Sequence, residues 1–420
     1  MNIKLKLKVI LFLQFFVWGS WLISLGGYMS ATLNFNGLQI GAVYGSLGLS
    51  SLLMPSLLGI VADKWIPANR LYIFCQLFGA IMLALAATAT TPGAMFLFIL
   101  LHCLAFMPTI AMSNAISYFA LEKEGYDVLS TFPKIRIWGT IGFIFAMWTI
   151  SFLKLELSHK QLLISSGAAV LLSIVALILP KIPVEKAQIN KGLASLLGLD
   201  AFKLLKQPKL AVFFIFTIFL GAILQININF SSAFIQDFKQ YPEYSESFVV
   251  LYPSFLLSLS QIAEVFFILC VPFFMRKFGI KYVMLISMLA WGLRFGLFAI
   301  GDPSVIGSLL LVLSMVIYGC AFDFYNISGG LFIEKSVPSN IRNRAQGLFL
   351  TMSGGIGAYM GAISSGLVVD LFTNTDNIKD WQAIWLTFAA YSVLLALIFF
   401  FVFKESSSEE SSLNKQAKTA

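Results

Sequence analysis

Four ionisable residues interrupt long apolar runs of this chain: Arg136, Glu264, Arg294 and Asp323. Each has polar or aromatic companions at helical spacing. The stretch RIWGTIGF sets Arg136, Thr140 and Phe143 at i, i+4 and i+7, on one helical face. QININF gives Gln225 and Asn229 one turn apart, with Asn227 between them. SQIAE places Gln261 one turn before Glu264, and YGCAFDFYN spaces Tyr318, Phe322 and Asn326 four residues apart with Asp323 one position round. Amides read the hydrogen-bonding edge of a planar heterocycle, aromatic faces stack on it, and carboxylates accept from sugar hydroxyls. That combination suits a nucleoside better than an ion or a lipid.

Plainer readings compete. Arg136 lies near the start of its run and could snorkel to an interface. Arg294 could pair with Glu264 or Asp323 for structure alone. Single amides often join helices, so Gln225 by itself carries little. Stripes of the same character on separate helices are harder to set aside.

The elements holding these residues are set by composition. Of 420 residues, 59% are hydrophobic and 11% charged, with a mean hydropathy of +0.87. Soluble domains carry about 25% charge, so lipid is the expected surrounding. No Asp, Glu, Lys or Arg occurs between Lys8 and Asp63 or between Arg70 and Glu122. Each gap accommodates two spans of about 20 residues, and eight further apolar runs make twelve. All must be helical, because lipid leaves an open backbone unsatisfied. An ionisable group inside such a span costs on the order of 3 kcal/mol, which makes the four residues functional candidates.

With a cytoplasmic N-terminus, the even-numbered loops and both tails hold 22 of the 28 basic residues, as the positive-inside rule requires. The net charge of +8 therefore reports topology, not nucleic-acid binding. The first run resembles a signal peptide but is too long and contains Gln14, Trp18 and Trp21, so it reads as a retained helix. Cys75, Cys103, Cys270 and Cys320 show no motif spacing and read as packing residues. Two histidines without metal or triad spacing argue against an enzyme and against any cofactor. GGIGAYMGAISSG (354–366) has no strand before it, so its glycines read as close helix packing and not a phosphate loop.

The expected architecture is all-α and membrane-integral. Residues 1–180 form a first six-helix bundle, 181–209 a cytoplasmic linker with a short amphipathic helix, and 210–404 a second bundle, followed by a disordered cytoplasmic tail at 405–420. GIVADKW (59–65) and PFFMRKFGIK (272–281) echo each other half a chain apart. Each keeps part of the loop signature of the major facilitator superfamily, which the chain resembles. That resemblance implies two bundles rocking about a central site.

The blocks LKLKVILFLQFFVWGSWL, FPKIRIWGTIGF, LLGLDAF, SQIAE, YGCAFDFYNISG and AQGLFL narrow the resemblance to the bacterial nucleoside:proton symporter family, from residue 1 to about 404. It implies a proton-coupled importer of nucleosides in the bacterial inner membrane, multi-pass, with both termini cytoplasmic, acting as a monomer and binding no nucleic acid. The family's substrate contacts match Arg136, Thr140, Phe143, Gln225, Gln261, Glu264, Tyr318 and Phe322, and its proton coupling matches Asp323, with Glu264 as the competing carrier. Where the family has asparagine this chain has Ile228, flanked by Asn227 and Asn229. A helix turns 100° per residue, so only Asn229 shares the face of Gln225; it is the expected contact, and Asn227 should reach a neighbouring helix. The remaining alternatives are a proton-coupled carrier of another polar solute, such as an oligosaccharide, and a non-transporting receptor.

Overall fold

A computed structural model describes residues 2–179 and 199–403. The helices of the first half are α1 (Ile3–Gly19), α2 (Leu25–Ala31), α3 (Gly37–Lys64), α4 (Ala68–Ala86), α5 (Pro92–Lys123), α6 (Val128–Phe152) and α7 (Lys160–Ala176). Those of the second half are α8 (Pro208–Asp237), α9 (Phe248–Leu251), α10 (Pro253–Ile300), α11 (Val305–Ser336), α12 (Arg342–Leu350), α13 (Ala358–Leu371) and α14 (Trp381–Val402). Strand pairing among the described residues is limited to one bridge, Thr373 to Lys379. Eight of the described helices are long and apolar enough to cross a membrane.

The polar breaks in the sequence act as caps. Asn36 opens α3 with a reciprocal capping box to Gln39, and Thr91 caps α5 with Pro92 in its first turn. α10 doubles back at Gly279, whose φ of 78° lies where a side chain would be strained. It therefore supplies two arms, 253–278 and 280–300, from two apolar runs. A π-helical turn, Thr351–Gly357, joins α12 to α13.

The interior is mostly apolar, as in a soluble protein, but much of the outer surface is apolar too. Large apolar side chains face outward, as along α14, where Leu394, Leu397 and Phe401 are more than half exposed. Polar side chains lie inside. Gln14 donates to Thr109 Oγ1 at 2.8 Å and accepts from Tyr72 and Gln76 at 2.6 and 2.7 Å, joining α1, α4 and α5. In lipid the apolar effect cannot hold helices together, so close packing and buried hydrogen bonds must. Gly357 and Gly361 show the packing: a Cβ there would come within 2.4 Å of Ile218 O and Ala222 O on α8.

Two expectations change. The first apolar run is not one helix; it breaks at residues 20–24, between α1 and α2. The amphipathic segment is described only from 199 on, as a 3-10 helix, Leu199–Lys206, with Ala201 and Leu204 buried. The rest of the linker and the 405–420 tail lie outside the described residues, as do the side chains of Gly59, Asp63 and Lys64.

Candidate functional site

Arg136, Thr140 and Phe143 follow one another up one face of α6. Beside them, Gly142 presses on α1, where a Cβ would lie 2.1 Å from Phe12 O. That contact fixes the helix's rotation. The half-buried Arg136 guanidinium lies 4.2 Å over the Phe15 ring of α1, a cation–π contact. Thr140 is half-buried, and Phe143 meets Trp18 edge-on at 6.2 Å.

On α8 the two amides of QININF separate as helix geometry demands. Gln225 donates to Asn229 Oδ1 at 2.7 Å, and Asn229 donates to Ser365 Oγ of α13 at 3.1 Å. Asn229 is fully buried, so it holds Gln225 from behind. Asn227 points to a neighbouring helix, where its Oδ1 accepts from Arg294 Nε at 3.0 Å and Nη2 at 2.8 Å.

On the first arm of α10, Gln261 and Glu264 are half-buried, and Gln261 Oε1 has no hydrogen-bond partner. α11 packs closely here because Gly319 lies against Ala263; a Cβ would be 2.6 Å from its carbonyl oxygen. That brings the aromatic pair alongside. Tyr318 and Phe322 stack with centroids 5.6 Å apart and planes 6° from parallel. Trp291 braces Tyr318 at 88°. Asp323 is buried, and its Oδ2 has no partner. The Asn326 amide turns back to Phe322 O at 3.0 Å, so it serves its own helix.

The charges of Arg136, from the first half, and Glu264, from the second, lie close enough to act on each other, and Glu264 likewise acts on Asp323. A cation, two carboxyls, an amide and a stacked aromatic pair thus form one cluster drawn from both halves. Arg294 is not part of it. Neither Glu264 nor Asp323 is its hydrogen-bond partner; it is spent on Asn227, on Ser314 O, and on the faces of Phe298 and Tyr318 at 4.9 and 5.0 Å. The cause is placement: its helix arm, 280–300, directs it between α8 and α11.

Sequence reasoning passed over Phe15, Tyr118 and Ser365. Tyr118 interacts electrostatically with Arg136 and packs edge-on against Phe132. Its signal was faint: a Tyr one turn beyond Asn114 in an apolar run. Ser365 had no signal, since a serine in a Gly/Ser stretch reads as packing.

Residues 1–408 match the family model described as Nucleoside H+ symporter. The chain is 56% identical to the xanthosine permease of Escherichia coli (strain K12), over 98% of both chains. It is 54% identical to the nucleoside permease NupG of the same organism, over 96% of both. A crystal structure of the nucleoside transporter NupG superposes with a TM-score of 0.92 at 53% identity, covering 97% of this chain and all of that one.

Proposed function

The chain belongs to the nucleoside H+ symporter family, and on that premise we propose that it imports nucleosides with protons across the bacterial inner membrane. It is a transporter and not an enzyme. We read its helices as twelve spans in two six-helix bundles, the twelve apolar runs falling six before the 181–209 linker and six after it. Both termini are cytoplasmic in this reading, as the Lys and Arg asymmetry indicates.

The observation that carries the site assignment is the pair of buried, unpartnered oxygens, Gln261 Oε1 and Asp323 Oδ2, in this cluster. A buried acceptor without a donor costs about 1–3 kcal/mol. A substrate hydroxyl relieves the first, and a proton the second. Gln261 and Glu264 hold the ribose hydroxyls. Tyr318 and Phe322 supply a flat wall for the base, with Phe143 opposite on α6. Arg136, Thr140 and Gln225 address the base edge, and Asn229 fixes the Gln225 rotamer. Asp323 carries the coupling proton beside Phe322. Glu264 acts on both Arg136 and Asp323, so binding of substrate there links the base-reading cation to the proton carrier. The two halves then rock about this point, exposing it to one side at a time.

Competition tests the substrate class. Uptake of radiolabelled uridine by cells expressing the chain should be suppressed by excess adenosine or cytidine and unaffected by excess disaccharide. Suppression by the disaccharide, with none by other nucleosides, would favour the oligosaccharide reading.

A further inference from the structure

Five hydrogen bonds between described residues join the two halves at one end of the molecule, opposite the N-terminus of α1. Trp148 Nε1 donates to Ser258 Oγ at 2.9 Å, and Phe255 N to Ser151 Oγ at 3.3 Å. The others are made by two carboxylates. Ser254 N, in the first turn of α10, donates to Glu156 Oε1 at 3.2 Å. Gly37 N and Leu38 N, in the first turn of α3, donate to Asp370 Oδ1 and Oδ2 at 2.5 and 2.9 Å.

These two contacts are related. Counting apolar runs within each half, α6 and the segment 342–371 are each the fifth, and α3 and the first arm of α10 are each the second. Glu156 follows the end of the fifth helix of the first half and bonds the start of the second helix of the other half. Asp370, in the last turn of the fifth helix of the second half, bonds the start of α3, the second helix of the first. Exposed N–H groups and the positive end of the helix dipole make a helix start a favourable seat for a carboxylate.

Both acids are aimed by their own halves. The Glu156 loop is pinned by Gln161, whose Nε2 donates to Glu156 O at 3.0 Å, and by Thr32, which donates to Leu157 O at 2.9 Å. Asp370 ends a seam in which α13 meets a glycine face of α3: a Cβ on Gly37 would lie 2.5 Å from Gly366 O, and one on Gly41 2.2 Å from Ala362 O. Glu156 is 4% exposed although it sits in a loop, a position where an acid is ordinarily solvated.

We propose that Glu156 and Asp370 are the gating carboxylates of the transport cycle, each closing the outer mouth by capping the helix that the opposite bundle presents there. They differ in demand. Asp370 accepts on both oxygens, so it needs the full carboxylate. Glu156 takes its backbone N–H from the opposite half on one oxygen, so an amide oxygen can replace it there. The proposal rests on the transport reading, because a gate needs a cycle, but its test needs no nucleoside.

The test uses the full chain with its four native cysteines replaced by serine or alanine, and Ser258→Cys as reporter inside the closed mouth. A membrane-impermeant maleimide is added from outside. Asp370→Ala and Glu156→Ala should each raise the labelling rate about tenfold, Asp370→Asn by a smaller factor, and Glu156→Gln not at all. Uridine affinity in detergent, measured in the same variants, keeps a failure of the gate distinct from a failure of the site. Unchanged labelling in both alanine variants would overturn the proposal, as would equal effects of Asp370→Asn and an exposed control, Asp376→Asn. Should an alanine variant not reach the membrane, the Asn and Gln pair decides: faster labelling in Asp370→Asn alone supports the gate, and any other pattern refutes it.

Discussion

Arg294 offers the sharpest separation of stability from function. It is 1% exposed and buried with no carboxylate hydrogen-bonded to it. Replacing it with Met removes the donors to Asn227 Oδ1 and Ser314 O. Charge-assisted hydrogen bonds contribute about 1.5–3 kcal/mol each, and the contacts to Tyr318 and Phe298 about 0.5–2 kcal/mol. Against these stands the desolvation of a buried cation, several kcal/mol. The losses largely offset, because Asn227 Oδ1 keeps the Ser231 hydroxyl at 3.0 Å and Met fills much of the volume. Folding should therefore change little. The site should not be so fortunate: the guanidinium lies 5.0 Å over Tyr318 and holds that ring parallel to Phe322. Losing about 1.4 kcal/mol of preorganisation weakens binding tenfold. Uridine affinity by calorimetry and thermal melting, both on purified Arg294→Met, provide the assay. The expected result is a Kd about tenfold higher with a melting point within a few degrees of wild type. Wild-type affinity, or a collapse of stability with affinity intact in the folded fraction, would refute the reasoning.

Other outcomes follow from the same geometry. Glu264→Gln should reach the membrane normally and lose nearly all uridine uptake, measured as initial rate against surface expression. Asn229→Ala should weaken uridine and adenosine binding more than Asn227→Ala, because it frees Gln225, while Asn227→Ala should show little additional effect in an Arg294→Met background. The Glu156 carboxyl is raised from its ordinary 4.5 chiefly by burial, with hydrogen bonds from Ser151 and Ser254 opposing. Lys154, His159 and Lys160 of its loop are exposed. An open mouth returns Glu156 to water, so closure takes up a proton. The closed form is thus favoured fully below the ordinary value, and the preference is lost as pH rises through the raised one. Labelling of Ser258→Cys should accelerate as the outer pH climbs through that range, and Glu156→Gln should remove the dependence.

What could be read from sequence was one-dimensional. Charge gaps and polar breaks give the helices, because lipid leaves no alternative to intrasegment hydrogen bonding. Helical spacing correctly turned Asn229 toward Gln225 and Asn227 away. It could not show that Arg294 would meet Asn227, 67 residues distant, because partner choice depends on how helices are arranged. Arg294 looked like half of an ion pair for that reason. Glu156 was invisible for the opposite reason: an acid in a loop reads as solvated, and only the approach of the second half buries it. Asp370 was hidden likewise, its two donors being more than 330 residues away. The break at 20–24 lies in an apolar run, where hydropathy carries no mark of it.

Proton-driven accumulation of uridine tests the central claim most directly. Proteoliposomes containing the chain, given an inward proton gradient and radiolabelled uridine, should concentrate it. One charge moving through 100 mV supplies roughly 2.3 kcal/mol, a factor of about 50. An uncoupler should collapse the accumulation. Asp323→Asn should still exchange uridine down its own gradient but accumulate none. Accumulation by Asp323→Asn that an uncoupler still abolishes would move the proton to Glu264. Equilibration without accumulation by the wild-type chain, under the same gradient, would contradict proton coupling altogether.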